Sequence, residues 1–163
     1  MIDIMVYVVP PYRTDDPTIC TAVKLVRLGY ARLINSVREV SNATVVLNPL
    51  AKEELSPKDR EKAEKGGILL IDCPWETIEK TFLELGLLSH PNSRALPPLM
   101  AANPHYRGTR KLSSAEAIAA SLYILGYQSL AYEILSHFNW GWLFWMWNLS
   151  NLACVARGGG SGR

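Results

Sequence analysis

Three short runs constrain this chain most: Ile4-Met5-Val6-Tyr7-Val8-Val9, Thr44-Val45-Val46-Leu47 and Ile68-Leu69-Leu70-Ile71. None alternates between apolar and polar residues. A strand with one wet face alternates, so a continuous apolar run reads as a strand buried on both faces. Each run ends at a breaker: Pro10-Pro11, Asn48-Pro49 and Asp72-Cys73-Pro74. Helical segments lie between them. Pro17 can open a helix that stops at Gly29. Ser56-Pro57-Lys58-Asp59 is a capping box for a helix that stops at Gly66-Gly67. Glu76 to Leu85 reads as a third helix, and Tyr30 to Ile34 as a further strand. Buried strands separated by helices predict an α/β fold, a parallel sheet with helices on both faces.

After Gly86 the pattern changes. Ser89 to Arg94 reads as a loop, Leu96 to Ala102 as a short apolar segment broken by Pro97 and Pro98, and Asn103 to Arg110 as polar and irregular. Ser113 and Glu116 form a second capping box, for a helix from Ser114 to Leu125 that stops at Gly126. Tyr127 to His137 reads as another helix. Phe138 to Asn148 carries Trp140, Trp142, Trp145 and Trp147, which pack a small lobe or stack on exposed bases. The expected organisation is an α/β part over 1–88, a mainly helical part over 89–156 and a flexible Gly-rich tail over 157–163.

Composition narrows the class. The chain has 163 residues and a net charge of +2. Three cysteines, Cys20, Cys73 and Cys154, form no close pair, which suits a reducing compartment and argues against a disulfide framework or zinc ribbon. No basic region precedes the first apolar run, as a secretory leader would require. The apolar stretch from Phe138 to Leu149 falls short of the ~20 residues that span a bilayer. No Walker A or dinucleotide fingerprint is present, and three scattered histidines support neither a metal site nor a Ser-His-Asp triad. A cytoplasmic protein with no membrane partner and no metal is expected.

Charge is uneven. Pro17 to Arg38 holds Lys24, Arg27, Arg32 and Arg38 with no acid. Leu85 to Ala115 holds Arg94, Arg107, Arg110 and Lys111, again with no acid. Brought together, two such segments make a phosphate-binding patch; kept apart, they are solvated faces.

Ligands of open parallel sheets sit at the carboxyl ends of the strands. Leu47, Trp75 and Leu96 stand at such ends and can wall a pocket for a flat ring, or fill the core. Asp72 stands where a buried strand emerges. A carboxylate there orients a cationic ligand or takes a proton; alternatively it caps the next helix. Thr21 and Lys24, at a helix start, can cradle a carboxylate; alternatively Asp16 caps that helix and Lys24 is solvated. Lys111 to Ala117 opens a helix after the basic loop.

At these residues the sequence resembles the small-subunit rRNA aminocarboxypropyltransferases of ribosome biogenesis. The matching segments are Asp16-Pro17-Thr18-Ile19-Cys20-Thr21 with Lys24-Leu25, Leu47-Asn48-Pro49, Leu55-Ser56-Pro57 with Asp59, and Asp72-Cys73-Pro74-Trp75. They continue with Leu96-Pro97-Pro98-Leu99-Met100-Ala101-Ala102-Asn103-Pro104, Lys111-Leu112 with Glu116-Ala117, and Phe138-Asn139-Trp140-Gly141. The short extensions of eukaryotic members are missing, which points to an archaeal source. Two departures stand out. Asn103-Pro104-His105-Tyr106-Arg107-Gly108 replaces the usual Asn-Pro-Val-Asn-Tyr-Gly, and Pro74 follows Cys73 where serine is common.

The resemblance implies a fold related to the knotted SPOUT methyltransferases, with a trefoil knot in the helical part, and a monomer. It implies S-adenosylmethionine as co-substrate and transfer of its 3-amino-3-carboxypropyl group to N3 of a uridine or pseudouridine in a small-subunit rRNA loop. Leu47, Trp75, Leu96 and Leu112 would line the co-substrate pocket, with Thr21 near its amino-acid end and backbone groups near Leu96, Lys111 and Ala115 in contact. Asp72 would sit at the reacting centre, as base or as a steering charge. Lys24, Arg27, Arg107, Arg110 and Lys111 are the expected phosphate contacts. The runners-up are an RNA methyltransferase of the same fold and a non-catalytic assembly factor.

Overall fold

The computed structural model describes residues 2–10 and 20–159. The chain separates into two compact units: a sheet unit, Met1–Glu53 with Glu61–Ala95, and a helical unit, Glu54–Arg60 with Leu96–Arg163. Arg60 lies 4.6 Å over the Tyr127 ring, which explains why the short segment 54–60 groups with the helices. The sheet unit extends past position 88 because Ser93–Arg94 forms an edge strand where a loop was expected.

The sheet unit holds β1 (Ile4–Val8), α1 (Thr21–Arg27), β2 (Arg32–Leu33), β3 (Val45–Leu47), α2 (Arg60–Gly66), β4 (Ile68–Asp72), α3 (Ile78–Glu84) and β5 (Ser93–Arg94). The order is β2-β1-β4-β3-β5, and every pairing is parallel. The absence of alternation is explained by burial on both sides. Met5, Val46, Leu69 and Ile71 pack on one face with Phe82 of α3 and with Ile34 and Leu87. On the other face Ile4, Val6, Val45, Leu47, Ile68 and Leu70 are buried too. Leaving water contributes roughly 1.5–3 kcal/mol for each such large side chain. Gly66 touches the Ala43–Thr44 backbone so closely that a Cβ would collide with it. The Thr44 hydroxyl donates to the Gly66 carbonyl at 2.7 Å, and Gly67 turns the chain into β4 with φ +77°.

Pro17 lies outside the described residues, but Cys20 is extended (φ −106°, ψ 109°) and the helix starts at Thr21. The expected Asp16 cap also lies outside the described residues. Leu96–Pro97 is irregular; the strand in this region is β5.

The helical unit holds α4 (Ser114–Ile124), α5 (Gln128–Leu135) and α6 (Gly141–Ala156). The Ser113/Glu116 capping box is present, and Gly126 ends the first helix region at φ +95°. A Cβ on Gly141 would collide with the Leu135 carbonyl, so only glycine lets α6 start against the end of α5. α6 runs past Asn148 to Ala156. Trp145 packs against Tyr132, Phe144 and Tyr123 at 4.8, 5.2 and 5.7 Å, as a lobe-packing role requires. Trp142 and Trp147 remain exposed. Among the described residues no helix is long and apolar enough to cross a membrane.

Candidate active site

Asp72 ends β4, the central strand of the sheet. It pairs in register with Val8 of β1, and its carbonyl accepts from the Val9 N–H at 3.1 Å. After β1 the chain passes through α1 to β2 on one side; after β4 it passes through α3 to β5 on the other. Adjacent strands whose connections diverge leave a crevice at their carboxyl ends, where ligands of such sheets bind. Asp72 stands at that point, half-buried.

The carboxylate does not cap the next turn. Pro74 takes the cap position of the 3₁₀ turn Trp75–Thr77 in an extended conformation, and its carbonyl accepts from the Thr77 N–H and hydroxyl at 3.1 and 3.3 Å. Proline suits this position because it has no N–H to satisfy. Asp72 Oδ2 instead accepts from the Cys20 thiol at 3.2 Å. Burial first, then the Asp72 charge, push that thiol up to about 11, so Cys20 stays a protonated donor. Cys73 points to the opposite face and packs on the sheet core; burial raises its thiol as well.

Leu47 lies opposite Leu70 in register. Side chains alternate along a strand, so Leu47, Leu70 and Asp72 share one sheet face. Thr21 opens α1 beside Cys20, half-buried like Lys24 one turn on, and Arg27 is exposed. Trp75 is half-buried. In the sheet unit the structure thus joins Cys20 to Asp72 and places Leu47 on the same face. Among the described residues no three His, Cys, Asp or Glu side chains gather as a metal site.

In the helical unit a loop over 101–113 is held by hydrogen bonds to one buried carboxylate. Glu116 is fully buried. One of its oxygens accepts from the Ser113 N–H and hydroxyl at 3.0 and 2.9 Å, the other from the Ala102 N–H at 2.7 Å. Burial raises its pKa, and these hydrogen bonds pull against that rise. The loop closes on itself: the Ala101 N–H donates to the Thr109 carbonyl at 2.7 Å, and Arg107 Nε donates to the Ala102 carbonyl at 2.9 Å. Asn148 fixes the segment before it, accepting from the Met100 N–H at 2.7 Å and donating to its carbonyl at 2.8 Å. Asn151 donates to the Pro98 carbonyl at 3.0 Å. Leu96 and Leu112 are half-buried, Lys111 is exposed, and Ala115 is fully buried.

The comparisons with known proteins decide what this arrangement belongs to. The family described as "Ribosome biogenesis protein, C-terminal" matches residues 45–158. The 16S rRNA aminocarboxypropyltransferase of Methanococcoides burtonii is 44% identical over 79% of this chain and 73% of its own length. That of Methanopyrus kandleri is 39% identical over 89% of this chain and 85% of its own. The solved structure of the SAM-dependent rRNA acp-transferase of Vulcanisaeta distributa superposes with a TM-score of 0.88 at 37% identity, over 97% of this chain and 84% of that one. This chain belongs to the 16S rRNA aminocarboxypropyltransferase family. The resemblance read from Asp72-Cys73-Pro74-Trp75 and its companions is therefore correct.

The structure shows which basic residues already have acidic partners. Two cations of the acid-free segments are structural. Arg32 bonds Asp3 through two nitrogens at 2.9 and 3.0 Å and Glu39 at 2.8 Å. Arg94 is buried, with Nε 3.2 Å from Glu53. Both segments lack acids in sequence but not in space. Arg107 and Arg110 are exposed, and Lys111 Nζ lies 5.6 Å over the Tyr106 ring. Sequence reasoning singled out neither Cys20, which bonds Asp72, nor Asn148, which bonds Met100. Asn148 had a signal, a buried amide in a helix without charges. Cys20 stood only within the matching segment Asp16 to Thr21, and its partner is 52 positions away.

Proposed function

We propose that this chain transfers the 3-amino-3-carboxypropyl group of S-adenosylmethionine to a uridine or pseudouridine of small-subunit rRNA. The observation that carries the reading is the Asp72 carboxylate at the switch point of a sheet whose family is named for this transfer. The residues present fit the co-substrate. A half-buried carboxylate suits a sulfonium, and Leu47 on the same face with Trp75 nearby in sequence suits a ring and an alkyl chain. Thr21, Leu96, Lys111, Leu112 and Ala115 complete the proposed contact set.

Bound S-adenosylmethionine supplies three carbons activated by one sulfonium. Which carbon reacts is decided by position. Trp75 and its neighbours shield the methyl and leave the aminocarboxypropyl carbon open to RNA. N3 of the base forms the new bond as the carbon–sulfur bond breaks and its electron pair goes to sulfur; the N3 proton goes to Asp72. A carboxylate beside a cation is a weak base, so Asp72 accelerates the step without being indispensable. The target base lies in a loop and is reached without melting a duplex. Lys24, Arg27, Arg107, Arg110 and Lys111 hold phosphates, which makes RNA affinity fall steeply with salt. The reading includes the SPOUT-like knot, a monomeric enzyme, no metal and a cytoplasmic site of action.

The test is the sulfur product. Incubation with S-adenosylmethionine and small-subunit rRNA is expected to release 5′-methylthioadenosine in step with RNA modification. Release of S-adenosylhomocysteine would return the chain to the methyltransferases. Co-substrate turnover of neither kind, with RNA still bound, would favour an assembly factor.

A further inference from the structure

We propose that Cys20 is a positioning residue for Asp72: its thiol, presented at the start of α1, holds one carboxylate oxygen and leaves the other to the reacting centre. The inference rests on the reading that Asp72 acts in the transfer.

Three observations carry it. The thiol–carboxylate contact is 3.2 Å and ties the start of α1 to the end of β4, so it bridges the two connections that diverge around the switch point. Among the described residues Asp72 accepts no other side-chain hydrogen bond. A carboxylate at a strand end is otherwise free to rotate, and this contact fixes its plane. Finally, a thiol is a weak donor. It orients the carboxylate while leaving its charge for a cation, which a lysine or arginine in the same place would neutralise. Burial and the adjacent charge keep the thiol protonated, so the donor persists throughout the neutral range.

A merely structural thiol predicts different behaviour. If Cys20 only fills space, Cys20→Ala costs stability and its effect on rate is indifferent to Asp72. If it positions Asp72, Cys20→Ala lowers kcat by about tenfold while KM for S-adenosylmethionine stays within about twofold, since misorientation acts on the reacting step. Cys20→Ser, which keeps a donor, recovers most of the loss. In an Asp72→Asn background, Cys20→Ala adds little, because contacting residues acting through one contact are not additive.

The experiment measures transfer to rRNA by wild type, Cys20→Ala, Cys20→Ser, Asp72→Asn and the double variant Cys20→Ala/Asp72→Asn. Multiplying losses in the double variant, or a serine variant as slow as the alanine one, would overturn the proposal. A second readout needs no activity: the rate at which iodoacetamide labels the Cys20-containing peptide at pH 9. Removing the neighbouring charge in Asp72→Asn is expected to speed labelling several-fold, by lowering the thiol pKa. Equal rates would refute the contact. Absence of transfer by the wild type, with Asp72-dependent labelling intact, would refute the transferase reading and leave the contact standing.

Discussion

In the sheet unit the candidate chemistry rests on one side chain, Asp72, held by a single thiol hydrogen bond at the end of a strand. In the helical unit a loop over 101–113 is pinned by one buried carboxylate with three donors. The first arrangement leaves a charge available; the second consumes one to build a shape. A group that must meet a transient charge cannot already be saturated, whereas a surface that recognises a fixed ligand gains from being rigid. Asp72 and Glu116 are both carboxylates at the edge of an element, and their surroundings differ: the first accepts from one thiol, the second from two backbone N–H groups and a hydroxyl.

The largest expected effect breaks the helical side. Glu116→Ala strands the N–H groups of Ala102 and Ser113 and should cost about 3 kcal/mol of stability. A denaturant midpoint unchanged from wild type would show that the loop holds itself. Asp72→Ala breaks the other side differently. It should lower the transfer rate by about 10²-fold without abolishing it, while stability shifts by less than about 1 kcal/mol because one weak, half-buried contact is lost. Wild-type turnover in that variant would remove Asp72 from the reaction.

The third prediction sharpens the contrast through pH. Burial raises the pKa of Glu116 in the folded state, so folding favours its protonated form. Its contribution is fully present below the unfolded value and is lost as pH rises through the folded value. From about pH 4.3 upward, Glu116→Gln should therefore lose stability less steeply with rising pH than wild type does. Parallel stability curves for the two proteins would contradict the assignment. The smallest effect concerns the cations. Arg32→Ala should cost under about 1 kcal/mol, since its partners Asp3 and Glu39 are well exposed. It should leave RNA affinity nearly unchanged, whereas Arg110→Ala should weaken it in a salt-dependent way.

The sequence was most legible where one residue type has one physical use. Unalternating runs implied buried parallel strands, and Ser113 with Glu116 implied a cap. Both are present because each depends on neighbours within a few positions. Strand β5 was invisible, since a two-residue strand such as Ser93–Arg94 exists only through pairing with Val46 and Leu47. The expected helix start at Pro17 lies outside the described residues, within which α1 begins at Thr21. Charge pairing is not local either: Arg32 finds Asp3 across 29 positions. Trp142 and Trp145 could not be told apart, although one is exposed and the other packs on Tyr132. Asp72 drew notice because a strand that ends on a charge is a local signal, and the structure places it at the end of β4. Cys20 was not singled out because its partner lies 52 positions away.

The central claim is that Asp72 and its surroundings select the aminocarboxypropyl carbon of S-adenosylmethionine for transfer to rRNA. The most direct measurement uses two batches of co-substrate, one labelled in the carboxyl carbon and one in the methyl group, incubated with the protein and small-subunit rRNA from its own source. Carboxyl label in the RNA without methyl label is the predicted result. Methyl label alone in the RNA would contradict it.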